Sequence, residues 1–212
     1  MLRALSFSLL LLTAWTVQAV AEENLQVVFE DAFDGKLAEG WKWTNEDAKS
    51  WRVKDNALEI CARPVNNDGF INRLSRPVPK RNADTGVLVV ETVLTNLTKP
   101  TKLFEQAGIY VTVNGKVKFK FVKELVRDGK IVCVPGFKPI TTDKVKLRVE
   151  FRGKRLVASF QPNCEGEFIV AAERDNYNYQ QNEEVGIQVW HGYSDQEHWM
   201  KFDYFKMSAP AK

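Results

Sequence analysis

Apolar and polar residues alternate with a period of two along most of the chain. The clearest run spans residues 145–151, VKLRVEF, where every second residue is apolar and the residues between them are charged. This pattern is typical of a β-strand with one face buried and the other in solvent. Three such runs follow one another from Leu103 to Val134, separated by Asn114-Gly115 and Asp128-Gly129. These dipeptides favour tight turns with positive φ angles, so the region is predicted to be an antiparallel meander.

Similar runs, separated by glycine, proline and asparagine, continue along the rest of the chain. Strands are predicted over residues 25–33, 40–43, 50–53, 57–61, 72–78, 86–97, 145–151, 155–161, 167–172, 185–190 and 199–207, besides the meander. No segment shows a helical period. Many short strands with frequent turns are typical of a sandwich or jelly roll. We therefore predict an all-β protein with one antiparallel two-sheet sandwich.

The composition agrees with a single domain and excludes one class of partner. The chain has 212 residues, of which 44% are hydrophobic and 27% are charged, and its net charge is +3. This is enough apolar material for one core. Basic and acidic residues are interspersed, with no basic run, so no nucleic-acid partner is expected.

The first residues have the features of an export signal. Arg3 precedes a short apolar stretch from Leu5 to Val17, and Ala19-Val20-Ala21 fits a small-x-small cleavage site. We predict a signal peptide over residues 1–21 and a sandwich domain over residues 22–212, secreted or periplasmic. The apolar stretch is short for a membrane span, although an uncleaved anchor is the alternative. No membrane insertion is expected after cleavage.

The three cysteines, Cys61, Cys133 and Cys164, leave the disulfide pattern open. Export permits one bridge, but an odd count leaves one thiol over. Cys133 lies in an alternating run and is expected to be a small buried apolar residue. Asn96 begins a glycosylation sequon, which is meaningful only in a eukaryotic source.

Several segments resemble a known superfamily. The segment FEDAFDG from Phe29, the tryptophans at 41 and 43, and WRVKDNAL from Trp51 resemble the start of concanavalin A-like lectin/glucanase sandwiches. The run FEQAGIY from Phe104, continuing to Lys120 and Glu124, is similar to the regulation-of-enolase-like family and to the C-terminal sandwich of β-xylosidases. The closing segments VGI at 185–187 and FDYF at 202–205 fit the same pattern.

The resemblance implies two facing antiparallel sheets, with ligands on the concave side in members that bind sugars. The glucanase members carry Glu-x-Asp-x-x-Glu on one strand, and this chain has no such array. Their catalytic machinery therefore cannot be transferred to this chain.

A sugar-binding face needs a flat aromatic ring and a few polar groups for the hydroxyls. Strand alternation places Gln106, Tyr110, Arg148, Gln188 and Trp190 opposite the core, and the family pattern adds Lys120 and Glu124. These seven residues are the predicted ligand-binding set. The alternative is an ordinary solvated sheet surface.

Three further groups of polar residues could carry chemistry. Glu91, Glu124 and Glu150 are candidate carboxylates for glycoside hydrolysis, the alternative being exposed carboxylates paired with lysine or arginine. His191 and His198 are expected to be solvated in a polar loop, the alternative being a metal or acid/base role. No serine has a partner histidine at a useful spacing. Glu30 or Asp31 with Asp203 could hold a structural calcium ion, since sandwiches of this type bring both termini into adjacent strands. No other cofactor is expected.

The leading prediction is an exported carbohydrate-binding β-sandwich that is not catalytic. A glycoside hydrolase with non-standard carboxylates is the first alternative, and a structural or interaction module of the cell envelope is the second. The oligomeric state is left open.

Overall fold

The computed structural model describes residues 24–64 and 69–211. The predicted signal peptide lies outside the described residues. Within them the chain forms fourteen strands and one short 3₁₀ helix, Ala48–Ser50. The strands are β1 Leu25–Asp31, β2 Lys42–Thr44, β3 Trp51–Val53, β4 Leu58–Ala62, β5 Arg73–Pro77, β6 Val87–Asn96, β7 Gln106–Val113, β8 Lys116–Leu125, β9 Ile131–Val134, β10 Lys144–Arg152, β11 Arg155–Pro162, β12 Ile169–Arg174, β13 Glu183–Trp190 and β14 His198–Pro210.

The strands form two antiparallel sheets packed as a sandwich. The larger sheet has eight strands in the order β12-β11-β10-β6-β14-β4-β3, and β1 also pairs with β14. The smaller sheet has six strands in the order β2-β5-β13-β7-β8-β9. The predicted all-β sandwich is confirmed. In the described part of the chain, no helix has the length and apolar character needed to cross a membrane.

The meander is built as its turn residues predict. Asn114 and Gly115 have φ angles of 50° and 76°, and they connect β7 to β8 with Val113 opposite Lys116. Positive φ at both central residues matches the right-handed twist of the flanking strands. The turn starts the pairing of β7 with β8, and a register shift of one residue between Val111 and Thr112 then places Tyr110 opposite Lys120 and Gln106 opposite Glu124.

The core lies between the sheets and is formed by every second residue of the central strands. Ile109, Val149 and Ile187 are 0% exposed and belong to one cluster. The prediction that strand parity separates core from surface is therefore confirmed at these positions. The residues between them face outward, so parity also selects which side chains β5, β7, β8 and β13 present on the outer face of the smaller sheet.

The cysteines are reduced. Cys61, Cys133 and Cys164 are all free, and the first two are buried. Cys133 belongs to the core cluster, as its alternating run predicted. Asn96 of the sequon is only 9% exposed and lies at the end of β6, so its side chain is poorly placed for glycosylation.

Candidate functional site

A cleft of about 510 Å³ lies on the outer face of the smaller sheet, over β5, β7, β8 and β13. Five residues of the predicted ligand-binding set line it: Gln106, Tyr110, Lys120, Gln188 and Trp190. They meet because β13 pairs with β7, with Trp190 opposite Gln106 and Gln188 opposite Gly108. Phe70, Arg73, Gly115, Lys116 and Val117 complete the lining.

Gln106 is the centre of a hydrogen-bond network at the base of the cleft. Its Oε1 accepts hydrogen bonds from Tyr110 Oη at 2.9 Å and Lys120 Nζ at 2.6 Å. Its Nε2 donates to the backbone carbonyl of Phe104 at 3.1 Å. Burial, with a contribution from Glu124, raises the pKa of Tyr110, so the phenol stays protonated as a donor. The network fixes the direction of each polar group before any ligand arrives.

Glu124 lies behind Lys120 rather than on the cleft wall. Its Oε2 is 3.2 Å from Lys120 Nζ, and its side chain is 7% exposed against 34% for Lys120. The carboxylate therefore orients the amine, while the amine is the group that reaches the solvent side of the cleft.

Arg73 was missing from the predicted set, although it is the most constrained cation of the cleft. Its Nε donates to Gln188 Oε1 at 2.6 Å and one of its terminal nitrogens donates to the Gly115 carbonyl at 2.9 Å. The guanidinium stacks on the Phe70 ring with its carbon 4.0 Å from the ring centre. Burial lowers the pKa of Arg73, but an arginine remains charged at neutral pH. Since Leu74 is in the core, alternation could have directed Arg73 outward, but it could not have chosen this outer face over the other one.

Trp190 forms one wall of the cleft. Its Nε1 donates to the backbone carbonyl of Gly69 at 2.9 Å, and the side chain is half-buried. The indole is thus held in one orientation by the loop before β5, and part of it remains available to a ligand.

The prediction for Arg148 is wrong. Arg148 lies on β10 of the larger sheet, where its Nε and a terminal nitrogen donate to Glu91 Oε1 at 2.9 and 2.8 Å. Strand parity correctly directs it away from the core, but parity does not say which of the two outer faces a strand supplies. Arg148 therefore belongs to the opposite surface of the sandwich.

The three candidate catalytic carboxylates are divided between the sheets. Glu91 and Glu150 lie on β6 and β10 of the larger sheet, and Glu124 lies on β8 of the smaller one. Burial alone would raise the pKa of Glu91, but hydrogen bonds from Lys206 and Arg148 outweigh it and lower that pKa. A general acid needs the opposite shift. Glu91 and Glu150 both pair with Arg148, at 2.8 and 3.7 Å, so the cation holds their charge and neither is set up as a general acid.

The proposed calcium ligands are engaged by other groups of the protein. Asp31 is already used as an acceptor by the Phe33 and Ala38 backbone amides, both at 2.8 Å, and by Trp41 Nε1 at 2.7 Å. Asp203 pairs with Lys144 and Lys201, and Glu30 lies opposite Lys206 in the β1–β14 register. Among residues 24–64 and 69–211, no group of three or more histidine, cysteine or acidic residues could hold a metal ion.

His198 is buried between a serine and a glutamate, so the prediction that it is solvated is wrong. His198 Nε2 is 2.8 Å from Ser194 Oγ, and its Nδ1 is 3.1 Å from Glu105 Oε2. His198 and Glu105 are each 1% exposed and Ser194 is 5% exposed, so a substrate has no access to the hydroxyl. Glu105 also accepts from the Lys102 amide at 2.6 Å. The three residues tie the loop before β7 to the loop before β14, and no sequence signal marked them.

The sequence and the structure of this chain were compared with those of known proteins. No family model and no curated protein matches the sequence. The GH43 protein BlXynB from Bacillus licheniformis matches with a TM-score of 0.64 and 18% identity, over 85% of this chain and 39% of that chain. This chain thus spans about two fifths of the BlXynB chain.

Two matches cover nearly the whole of the other protein. The CBM2 module of the evolved Dit from Lactobacillus casei BL23 phage J-1 has a TM-score of 0.58 and 12% identity, over 90% of this chain and 98% of that chain. Lectin I-B4 from Griffonia simplicifolia has a TM-score of 0.56 and 11% identity, over 86% and 99%. At these identities the likeness establishes architecture and no more. The chain therefore has the concanavalin A-like jelly-roll sandwich fold that the sequence resemblance implied.

Proposed function

We propose that the protein is an exported carbohydrate-binding sandwich that uses the outer cleft of the smaller sheet and is not catalytic. The single observation that carries the proposal is the convergence of an indole, a phenol, two amides and three cations on one cleft of about 510 Å³. This volume is ordinary for a small-ligand site. An amphipathic ring such as a sugar needs one apolar face to stack on and several donors and acceptors at its edge.

Preorganisation of the polar groups favours binding. Gln106, Tyr110 and Lys120 are linked by hydrogen bonds, and Gln188 is held by Arg73. Groups already held in place lose little side-chain entropy when a ligand docks. The solved structures of like fold include a lectin and a CBM2 module by name, which agrees with this use of the fold. Export rests on the predicted signal peptide.

The absence of catalysis is proposed from the division of the carboxylates. Hydrolysis needs two carboxyl groups roughly 5 to 9 Å apart on either side of the scissile bond. Of the three candidates, Glu124 alone belongs to the smaller sheet, and it is committed to Lys120.

Affinity gel electrophoresis of residues 22–212 against a panel of soluble polysaccharides tests the proposal. Retardation by at least one polysaccharide is expected, and Trp190→Ala should abolish it. Trp190→Phe keeps an aromatic face but loses the hydrogen bond to Gly69, so it should retain part of the binding. Trp199→Ala is the matched control, because Trp199 lies on β14 of the larger sheet. A folded protein that no polysaccharide retards would overturn the proposal.

A further inference from the structure

We propose that the ligand of the cleft is an anionic saccharide, one that carries uronate carboxylates or sulfate esters. This inference rests on the proposed function and concerns only the chemical class of the glycan. Both groups offer oxygens that a guanidinium can bind with two parallel hydrogen bonds.

The charge of the cleft is the first argument. Arg73, Lys116 and Lys120 line it, and its lining includes no carboxylate. Glu124 is paired with Lys120, and Glu184 acts electrostatically on Arg73, so three positive charges and two negative charges leave a net charge of +1. A neutral glycan would leave that excess charge uncompensated.

The second argument is the burial of Arg73 without an acidic partner. The residue is 3% exposed, and in the described part of the chain no carboxylate lies within ion-pairing distance of its guanidinium. Its bonded partners there, Gln188 and the Gly115 carbonyl, are both neutral. A buried charge without a counter-charge is costly, and proteins usually pair such groups. Glu184 acts on Arg73 only from beyond ion-pairing distance, where it raises the pKa of the guanidinium against the lowering by burial. An anionic ligand would supply a directly bonded counter-charge.

The third argument is the direction of the unused donor. Of the two terminal nitrogens of Arg73, Nη1 is bonded to Gly115. The other, Nη2, makes no hydrogen bond to a described residue, and this atom is not fully buried. It therefore retains contact with the open volume of the cleft. Lys120 is another cation of the same lining, so a saccharide that packs beside Trp190 meets both positive charges in one cleft.

Isothermal titration of residues 22–212 with hexasaccharides of equal length tests the inference. The probes are hexagalacturonate, a chondroitin sulfate hexasaccharide and the neutral xylohexaose and cellohexaose. At least one anionic probe is expected to bind about tenfold or more tightly than either neutral one. Its affinity should fall strongly between 20 and 500 mM NaCl. The carboxylate and sulfate arms show which anion the cleft prefers.

The variants separate the inference from the proposed function. Arg73→Gln should weaken the binding of the anionic probe about tenfold or more. Arg155→Gln should leave that binding unchanged, because Arg155 is exposed and pairs with Glu173 on the larger sheet. If Arg73→Gln does not fold, as judged by near-UV circular dichroism, the double variant Lys116→Gln and Lys120→Gln replaces it, since both side chains reach solvent. Equal affinity for neutral and anionic probes, lost in Trp190→Ala, would overturn the inference and leave the proposed function intact. No binding to any probe would overturn both.

Discussion

Lys123 carries its amine into the sandwich from the core-facing side of β8. Its Nζ donates to the backbone carbonyls of Thr142 at 2.8 Å and Asp143 at 2.7 Å, and the residue is 3% exposed. Burial lowers the pKa of Lys123 to about 8, and the nearby Asp143 offsets this only in part. The amine is held by carbonyl oxygens rather than by an ion pair, so burying its positive charge destabilises the folded state.

Lys123 should make the free energy of unfolding depend on pH. The folded pKa, about 8, is below the unfolded value of about 10.4, so the unfolded chain binds more protons between these values. Stability therefore rises with pH in that window, by at most about 1.4 kcal/mol per pH unit from this group. Urea unfolding of wild type and Lys123→Met from pH 7 to 9.5 measures it, because the variant lacks the titrating amine. The exposed Lys36→Met is the control, and parallel curves for wild type and Lys123→Met would contradict the prediction.

At the scale of elements, the β7–β8 turn links a local sequence signal to the cleft. Gly115 adopts a φ of 76°, and a Cβ added to it would meet no atom within 4 Å. A substitution there therefore strains the backbone without a clash. The carbonyl of the same residue orients Arg73, so the turn also positions a cleft residue.

Gly115→Ala should lower the free energy of unfolding by about 1 kcal/mol and also weaken the binding of the glycan proposed for the cleft. Gly166→Ala provides a matched control, because Gly166 has a φ of 72°, open space around its Cα and no contact with the cleft. Thermal melts should show similar losses for the two variants, while titration with the glycan should show weakening only for Gly115→Ala. Equal affinities in both variants would mean that the turn does not position Arg73.

Alternation predicted most strands to within about two residues at each end, because the pleat that decides burial is a local property. Its clearest shortfall is β14, which was expected to end at Met207 and runs to Pro210. The extra residues pair with the start of β1, with Leu25 opposite Pro210. That extension depends on a partner strand at the other end of the described chain, so no local pattern could show it.

At the scale of the whole molecule, the two sheets enclose one core and leave three thiols unpaired. Cys61 and Cys133 are buried, whereas Cys164 is partly exposed in the turn after β11. Burial raises the pKa of Cys61 to about 11, which further lowers its reactivity in the folded state.

Thiol titration with a chromogenic disulfide should therefore resolve the cysteines. One thiol, that of Cys164, is expected to react in the native protein and three in denaturant. Cys164→Ser should remove the native reaction and leave the other two thiols for the denatured state. A single reactive thiol in denaturant would show instead that two of the cysteines form a disulfide.

The sequence alone determined which side of each strand meets the core, where the tight turns fall and that the fold is an antiparallel sandwich. These follow from the pleat and from residues that accept positive φ, and both are short-range effects. Only the tertiary structure decided which sheet each strand joins. It put Arg148 on the far face, brought Arg73 against Gln188 across 115 residues of chain, and joined Glu105 to His198. Those contacts depend on pairing between distant strands and loops, because the same alternating pattern fits either outer face.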